Sequence, residues 1–427
     1  GACRPEASCV PQPRGTAGPG GDRTGRSPEI SLGRFIAVRD IGRVRYFDHN
    51  ATHPLSAAAR ESWLDAVDRF PANPSSPHRW GARASAAVEE AREQLGGWLG
   101  CRPQDLVWTS GATEANNAIL HHLGTATHGT VLISAVEHPS VWSPARRWLD
   151  GRTETIPVRV SGVVDLDWID DRVRRGGVTA MVVMAANNET GVIQPWRALQ
   201  ELCHASEIRF VCDAAQWLGR LPAEGLGASD LLTASAHKFG GPQGVGVMKC
   251  PVGFRPLLVG GLQEEGRRAG TVNVAGILSM VAALEERGAR VASPSGDSAE
   301  ALPVRASWRD QFVEALKDAV PGVRVLGESV PRLWNTVAVI MPEAGDCRRR
   351  WVARLDKLGF AVSTGSACSS GREQPSPVLA AMGCRSDESD RMLRISAGWD
   401  TSGEDWTALL SAIRQTATEF GVAVDRR

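Results

Sequence analysis

The stretch Asp230-Leu-Leu-Thr-Ala-Ser-Ala-His-Lys-Phe-Gly-Gly241 opens on an apolar run and breaks into a glycine-rich turn. That pattern predicts a strand whose exit carries Lys238. Only four of the 48 basic residues are lysines, Lys238, Lys249, Lys317 and Lys357. A composition so biased toward arginine keeps lysine by chance or where an amine is needed, because a guanidinium cannot lose its proton and form a Schiff base. Taken alone, Lys238 also fits an ordinary surface lysine in a loop.

Outward from this stretch, apolar β-type runs alternate with helical ones from about residue 44 over the next 250 residues. Val131–Ala135, Ala180–Ala185, Ile208–Cys212 and Gly244–Met248 read as buried strands, and Ala82–Leu99, Glu114–Leu123 and Trp196–Ala205 as helices. The alternation predicts an α/β fold with a mainly parallel sheet covered on both faces. The stretch Ala292-Ser-Pro-Ser-Gly-Asp-Ser298 interrupts it as a linker. Beyond it, predicted helices Val304–Ala319, Cys347–Leu358 and Gly403–Phe420 mix with strands Thr336–Ile340 and Met392–Ser396 in a smaller α+β unit. The expected organisation is a disordered extension over 1–43, a large domain over 60–291, and a small domain from 44–59 and 299–427. Residues 1–28 contain 11 Gly plus Pro and almost no large apolar side chains, too little to offset ordering entropy. They carry neither the apolar core of a secretory signal nor a transit-peptide pattern.

Formal charge is zero. That balance attracts neither nucleic acid nor an acidic membrane surface, and no apolar run reaches the length of a bilayer span. Nine scattered cysteines without a C-x-x-C pair predict no metal site and no redox dithiol, and suit a reducing cytoplasm.

In sheets of this kind ligands gather at the carboxyl ends of strands. Val107-Trp-Thr-Ser-Gly-Ala-Thr113 leads from a strand into the helix beginning near Glu114, presenting backbone amides and hydroxyls at a helix N-terminus. Such a site suits a phosphate, and simple helix capping is equally open. Asp213 ends the strand Ile208–Cys212 and precedes Gln216. A carboxylate there either caps a helix or meets a cationic ring nitrogen.

Ten strings in order resemble the cysteine desulfurases, pyridoxal-phosphate enzymes of the class V aminotransferase family, over about residues 45 to 420. They are Tyr46–Pro54, Asn73–Ser76, Thr109–Glu114, Glu137–Val141, Asn187–Gly191, Asp213–Gln216, Ser235–Lys238, Arg268–Thr271, Thr364–Ser370 and Leu393–Ser396. The resemblance implies a fold-type I transferase with a mainly parallel seven-stranded sheet in its large domain. It implies that Lys238 holds the cofactor pyridoxal 5'-phosphate and later shuttles the Cα proton, that Asp213 pairs with the ring nitrogen, and that His138 stacks on the ring. Gln216 and Asn188 would bond near the ring oxygen. Ala112, Thr113, Ser235 and His237 would hold the phosphate. Thr271 matches a threonine that reaches this phosphate from the other subunit, which implies a homodimer with shared sites.

Cys368 narrows the reaction. Its setting, Ser363-Thr-Gly-Ser-Ala-Cys-Ser-Ser-Gly371, is small and polar, whereas inert cysteines sit among apolar neighbours. The matching family loop carries the sulfur nucleophile, and this Gly-Ser-Ala-Cys form resembles the flexible-loop branch found in iron–sulfur assembly. The implied reaction converts L-cysteine to L-alanine with sulfur passing to Cys368 as a persulfide, for delivery to an acceptor protein. Arg394 would bind the substrate carboxylate, with Asn335 nearby. Gln243, Glu265, His53 and Val272 depart from common family choices. Two rivals stand beside this reading: another class V enzyme, such as a selenocysteine lyase or an aminotransferase, and a non-catalytic sulfur-carrier partner with the same fold.

Overall fold

Side chains alternate between the two faces of a strand, so an apolar run five residues long needs cover on both sides. The computed structural model describes residues 44–291, 301–344, 348–364 and 376–425. These form strands β1 (Arg45–Tyr46), β2 (Leu106–Thr109), β3 (Thr130–Ser134), β4 (Thr153–Ile156), β5 (Val178–Val182), β6 (Arg209–Asp213), β7 (Leu231–Ser235), β8 (Gly246–Lys249), β9 (Arg324–Val325), β10 (Thr336–Ile340), β11 (Phe360–Ala361) and β12 (Met392–Ser396).

The main sheet runs β2-β8-β7-β6-β5-β3-β4. Strands β7, β6, β5, β3 and β4 are mutually parallel, and β8 lies antiparallel between β7 and β2. A mainly parallel seven-stranded sheet was the expectation, and the four apolar runs all fall on strands. Leu132, Met181, Phe210 and Leu232 enter one core with Leu95, Trp196 and Met280. Their neighbours Val131, Ile133, Val182, Val211 and Leu231 enter the opposite core with Ile119, Leu123 and Val141. Each such side chain, fully buried, contributes about 1.5–3 kcal/mol. The strand β4 went unread in the sequence. It pairs only with β3, at the sheet edge, and its Thr-Glu-Thr-Ile is only partly buried.

A second, antiparallel sheet runs β12-β10-β9. Helices Leu302–Ala319, Arg348–Lys357 and Gly403–Glu419 cover it around Phe47, Phe312, Trp351 and Trp406. The short β1 pairs in parallel with β11, and Asp48 bridges to Ser396 on β12. The segment following β1 is thereby drawn alongside β12. Both sheets belong to one compact unit, residues 43–427. No helix among the described residues is long and apolar enough to cross a membrane. The expected disordered extension, the linker at 292–298 and Cys368 lie outside the described residues.

Candidate active site

The carboxyl ends of β2, β6 and β7 meet around Lys238. Gly111 follows β2 with φ of 149°, a conformation that favours glycine, and starts the helix Ala112–Ala126, two residues earlier than the sequence suggested. A Cβ on Gly246 of β8 would stand 2.5 Å from the Gly111 Cα, so the two glycines let this turn lie flat on the sheet. Ser235, the last residue of β7, accepts the Ala112 N–H at 2.7 Å. Thr113, the next residue of that helix, is exposed, and the first amides of a helix have no acceptor within it. Thr113 lines a cleft of about 730 Å³ with Asn117, His138 and Ser140.

Asp213, at the end of β6, is buried. Its carboxylate accepts the Asn116 Nδ2–H and the Ala215 N–H, both at 2.9 Å, and makes no ion pair among the described residues. Asn116 also donates to Ser140 Oγ at 3.0 Å and accepts from Thr233 at the same distance. Ser140 Oγ in turn lies 2.9 Å from His138 Nδ1, so a chain of polar groups joins Asp213 to His138. Burial holds His138 below its ordinary pKa against the opposing pull of Asp213. Its ring is therefore neutral at neutral pH. Beneath it, burial pushes the Glu137 carboxyl up to about 8, so it is protonated. The Glu137 Oε1 accepts from Ser134 Oγ at 2.6 Å and from Met184 N at 2.7 Å.

Lys238 Nζ donates to the Asn50 and Ala51 carbonyls, each at 2.8 Å. The same Asn50 carbonyl accepts Gln216 Nε2 at 3.0 Å. His237 Nδ1 lies 3.2 Å from Thr52 Oγ1, and burial pushes its imidazole down to about 4. Asn50 Nδ2 continues to Thr336 Oγ1 and the Asn188 carbonyl, and Asn335 Nδ2 reaches Asn50 Oδ1. Arg394, on β12 and fully buried, donates to the Asn188 carbonyl at 3.1 Å and to Asp48 at 2.7 Å. Ser363 pairs with Arg394, and Ser376 Oγ donates to Glu189 at 2.6 Å. The two described stems flanking 365–375 thus both end beside Asn188.

The structure therefore gathers Ala112, Thr113, His138, Asn188, Asp213, Gln216, Ser235, His237, Lys238, Asn335 and Arg394 into one region. Thr271 is exposed and bonds to none of them in this chain. Asp48, Asn50, Asn116 and Arg220 were assigned no role from the sequence. Asp48 and Asn50 sat inside a quoted motif, which was the available signal. Of the departures, His53 and Gln243 line a separate apolar pocket with Thr52. Glu265 is exposed against Arg267, whereas the side chain of its neighbour Glu264 is buried in a bidentate pair with Arg92. Glu265 therefore touches none of the gathered side chains.

Residues 45–409 match the family model described as aminotransferase class-V. A cysteine desulfurase of Frankia sp. (strain EuIK1) is 39% identical over 84% of this chain and 88% of that protein. The X-ray structure of a NifS-like protein from Rickettsia africae superposes with a TM-score of 0.77 at 27% identity, over 88% of this chain and 99% of the other. The structure of SspA in complex with cysteine gives a TM-score of 0.70 at 26% identity, over 83% and 98%.

Proposed function

This chain belongs to the cysteine desulfurases of the class V aminotransferase family, and on that premise we propose that it holds pyridoxal 5'-phosphate at Lys238 and passes the sulfur of L-cysteine to Cys368. The observation that carries the reading is the meeting of Asp213, His138 and Lys238 at the strand ends. Its donor set fits the cofactor. The turn at Gly111, flattened by Gly246, leaves helix amides, Ser235 and His237 for a phosphate. The Asp213 carboxylate, bonded only to neutral donors, suits a protonated ring nitrogen. When bound, the cofactor supplies an electron sink that makes the substrate Cα–H acidic.

The remaining steps belong to this chain's own side chains. Arg394 offers its guanidinium to the substrate carboxylate, with Asn335 and Asn188 beside it. Lys238 Nζ accepts the Cα proton and returns one as alanine forms. His138, neutral and tied through Ser140 and Asn116 to Asp213, packs beside the ring site. The Cys368 thiolate attacks the substrate sulfur: an S–S bond forms, the substrate C–S bond breaks, and the carbon takes the electron pair and a proton. The net change is L-cysteine plus the Cys368 thiol giving L-alanine plus the Cys368 persulfide, which balances without an external oxidant or reductant. Both stems of the segment containing Cys368 end beside Asn188, within the substrate region. An acceptor thiol or cluster-building protein then takes the sulfur, and iron–sulfur assembly is the proposed outlet. Thr271 is read as completing the phosphate site of a second copy in a homodimer. A reducing cytoplasm suits the free thiols Cys101, Cys203, Cys212, Cys250 and Cys384.

Purified protein reconstituted with pyridoxal phosphate should show a visible absorbance band and release alanine from L-cysteine. Lys238→Ala should lose the band and reduce alanine formation by at least about 10⁴-fold, the upper end of proton-transfer contributions. A variant that keeps both would overturn the reading.

A further inference from the structure

Arg220 is buried, with 3% exposure, and no carboxylate faces it among the described residues. Its Nη1 donates to the Gln216 carbonyl at 3.3 Å and to Gln216 Oε1. Its Nη2 donates to the His49 carbonyl at 3.0 Å and to the Lys238 carbonyl at 3.2 Å. Every acceptor is neutral. Its own carbonyl is held by Trp334 Nε1 at 3.0 Å. Arg92, another buried arginine, is handled otherwise: it meets Glu264 through two bonds at 2.8 and 2.9 Å. Leaving a guanidinium among neutral carbonyls is unfavourable to the fold. Burial, with the nearby Arg394 charge, pushes Arg220 down to about 9, so it remains a cation at neutral pH.

Two consequences follow for the site. By occupying Gln216 Oε1, Arg220 fixes which end of that amide faces Asn50, and Gln216 Nε2 then shares the Asn50 carbonyl with Lys238 Nζ. By binding the Lys238 carbonyl, it also places a positive charge close behind that residue. Resting on the reading of Lys238 as the attachment lysine, we propose that Arg220 is a positioning residue: it orients Gln216 and Lys238, and its charge keeps the Lys238 nitrogen unprotonated and reactive. A neighbouring cation is a recognised means of activating a lysine.

The other charges around this point do not supply the effect. Arg394 is met by Asp48 from the segment after β1, and Arg287, on the helix Val274–Val291, by Glu286. Burial pushes His53 and His237 down to about 4 and holds His49 and His138 below the ordinary range, so these rings are neutral. Asp213 is engaged by Asn116 and Ala215 across the site. Of Arg220, Arg287 and Arg394, Arg220 is the cation with no opposing carboxylate among the described residues.

The test compares wild type, Arg220→Met and Arg220→Lys as cofactor-loaded full-length proteins. The pH midpoint of the cofactor's visible absorbance is read with the thermal midpoint alongside. Loss of the charge should raise the absorbance midpoint by about one pH unit, whereas Arg220→Lys should stay within a few tenths of a unit of wild type. Arg220→Met removes the donor to the Gln216, His49 and Lys238 oxygens, so its thermal midpoint should fall, and the absorbance midpoint is read below that temperature. Should it not load cofactor, Arg220→Gln serves in its place, with the same expected shift. A folded, loaded variant without the charge whose midpoint matches wild type overturns the inference. Absence of any visible band in the wild type overturns the reading of Lys238 itself, and this inference with it.

Discussion

The strand ends of the main sheet and the segment packed along β12 bury charge in opposite ways. At the strand ends, the Asp213 carboxylate is bonded to an amide side chain and a backbone N–H, with no cation in an ion pair among the described residues. Along β12, Arg394 is a buried cation met by one carboxylate, Asp48, and Arg220, bonded to the His49 carbonyl of the segment beside it, is a second buried cation met by none among the described residues. Isolated buried charge is unfavourable, and breaking a buried pair costs about 3–5 kcal/mol. The difference teaches which end should receive what: the anionic end suits a protonated ring nitrogen, and the cationic end suits a substrate carboxylate. Arg92 supplies the contrast, because Glu264 and Glu89 satisfy it and nothing is left to offer a ligand.

The sharpest way to break this contrast is to neutralise one end at a time. At the cationic end, Arg394→Met should lower kcat/KM for L-cysteine by about 100- to 1000-fold, carried mainly in KM, because a charge-assisted pair of about 3–4 kcal/mol is lost. The reciprocal change, Asp213→Asn, should lower kcat by about 10- to 100-fold while leaving the KM for L-cysteine nearly unchanged. If both variants changed the same parameter to the same degree, the two ends would not be the separate binding regions described.

The smallest expected effect is in stability against pH. His53, His122 and His237 stand near 4 in the folded chain, below the ordinary 6.5, so the unfolded chain takes up their protons first as pH falls. Stability from these groups is present above pH 6.5 and is lost as pH falls toward 4. Glu137 runs the other way. Its carboxyl titrates near 8 folded against 4.5 unfolded, so its contribution is fully present below 4.5 and is lost as pH rises through 8. The thermal midpoint should therefore peak near pH 6.5–7, and Glu137→Gln should flatten only the alkaline side. A midpoint that rose steadily to pH 9 in the wild type would contradict the protonated Glu137.

The central strands were legible because both faces are buried, leaving continuous runs such as Val131-Leu-Ile and Met181-Val-Val. The edge strand β4 was not, since one neighbour and partial burial impose no such run. Within the site, Lys238, Asp213 and Ser235 could be placed from the sequence because each ends or follows a readable strand. Arg220, Asn50 and Asn116 could not. Their roles arise from contacts between positions far apart in the chain, such as Asn116 with Asp213 and Asn50 with Thr336, which no local pattern encodes. Among so many arginines, one without a carboxylate partner becomes visible only once burial is known.

The central claim joins Lys238 to Cys368, and peptide mass spectrometry of the cofactor-loaded protein after brief exposure to L-cysteine without reductant tests it most directly. The account predicts one added sulfur atom on the peptide containing Cys368, matched by one alanine released per site, and neither in Lys238→Ala. Alanine released in full with no sulfur on Cys368, or undiminished in Cys368→Ala, would contradict it.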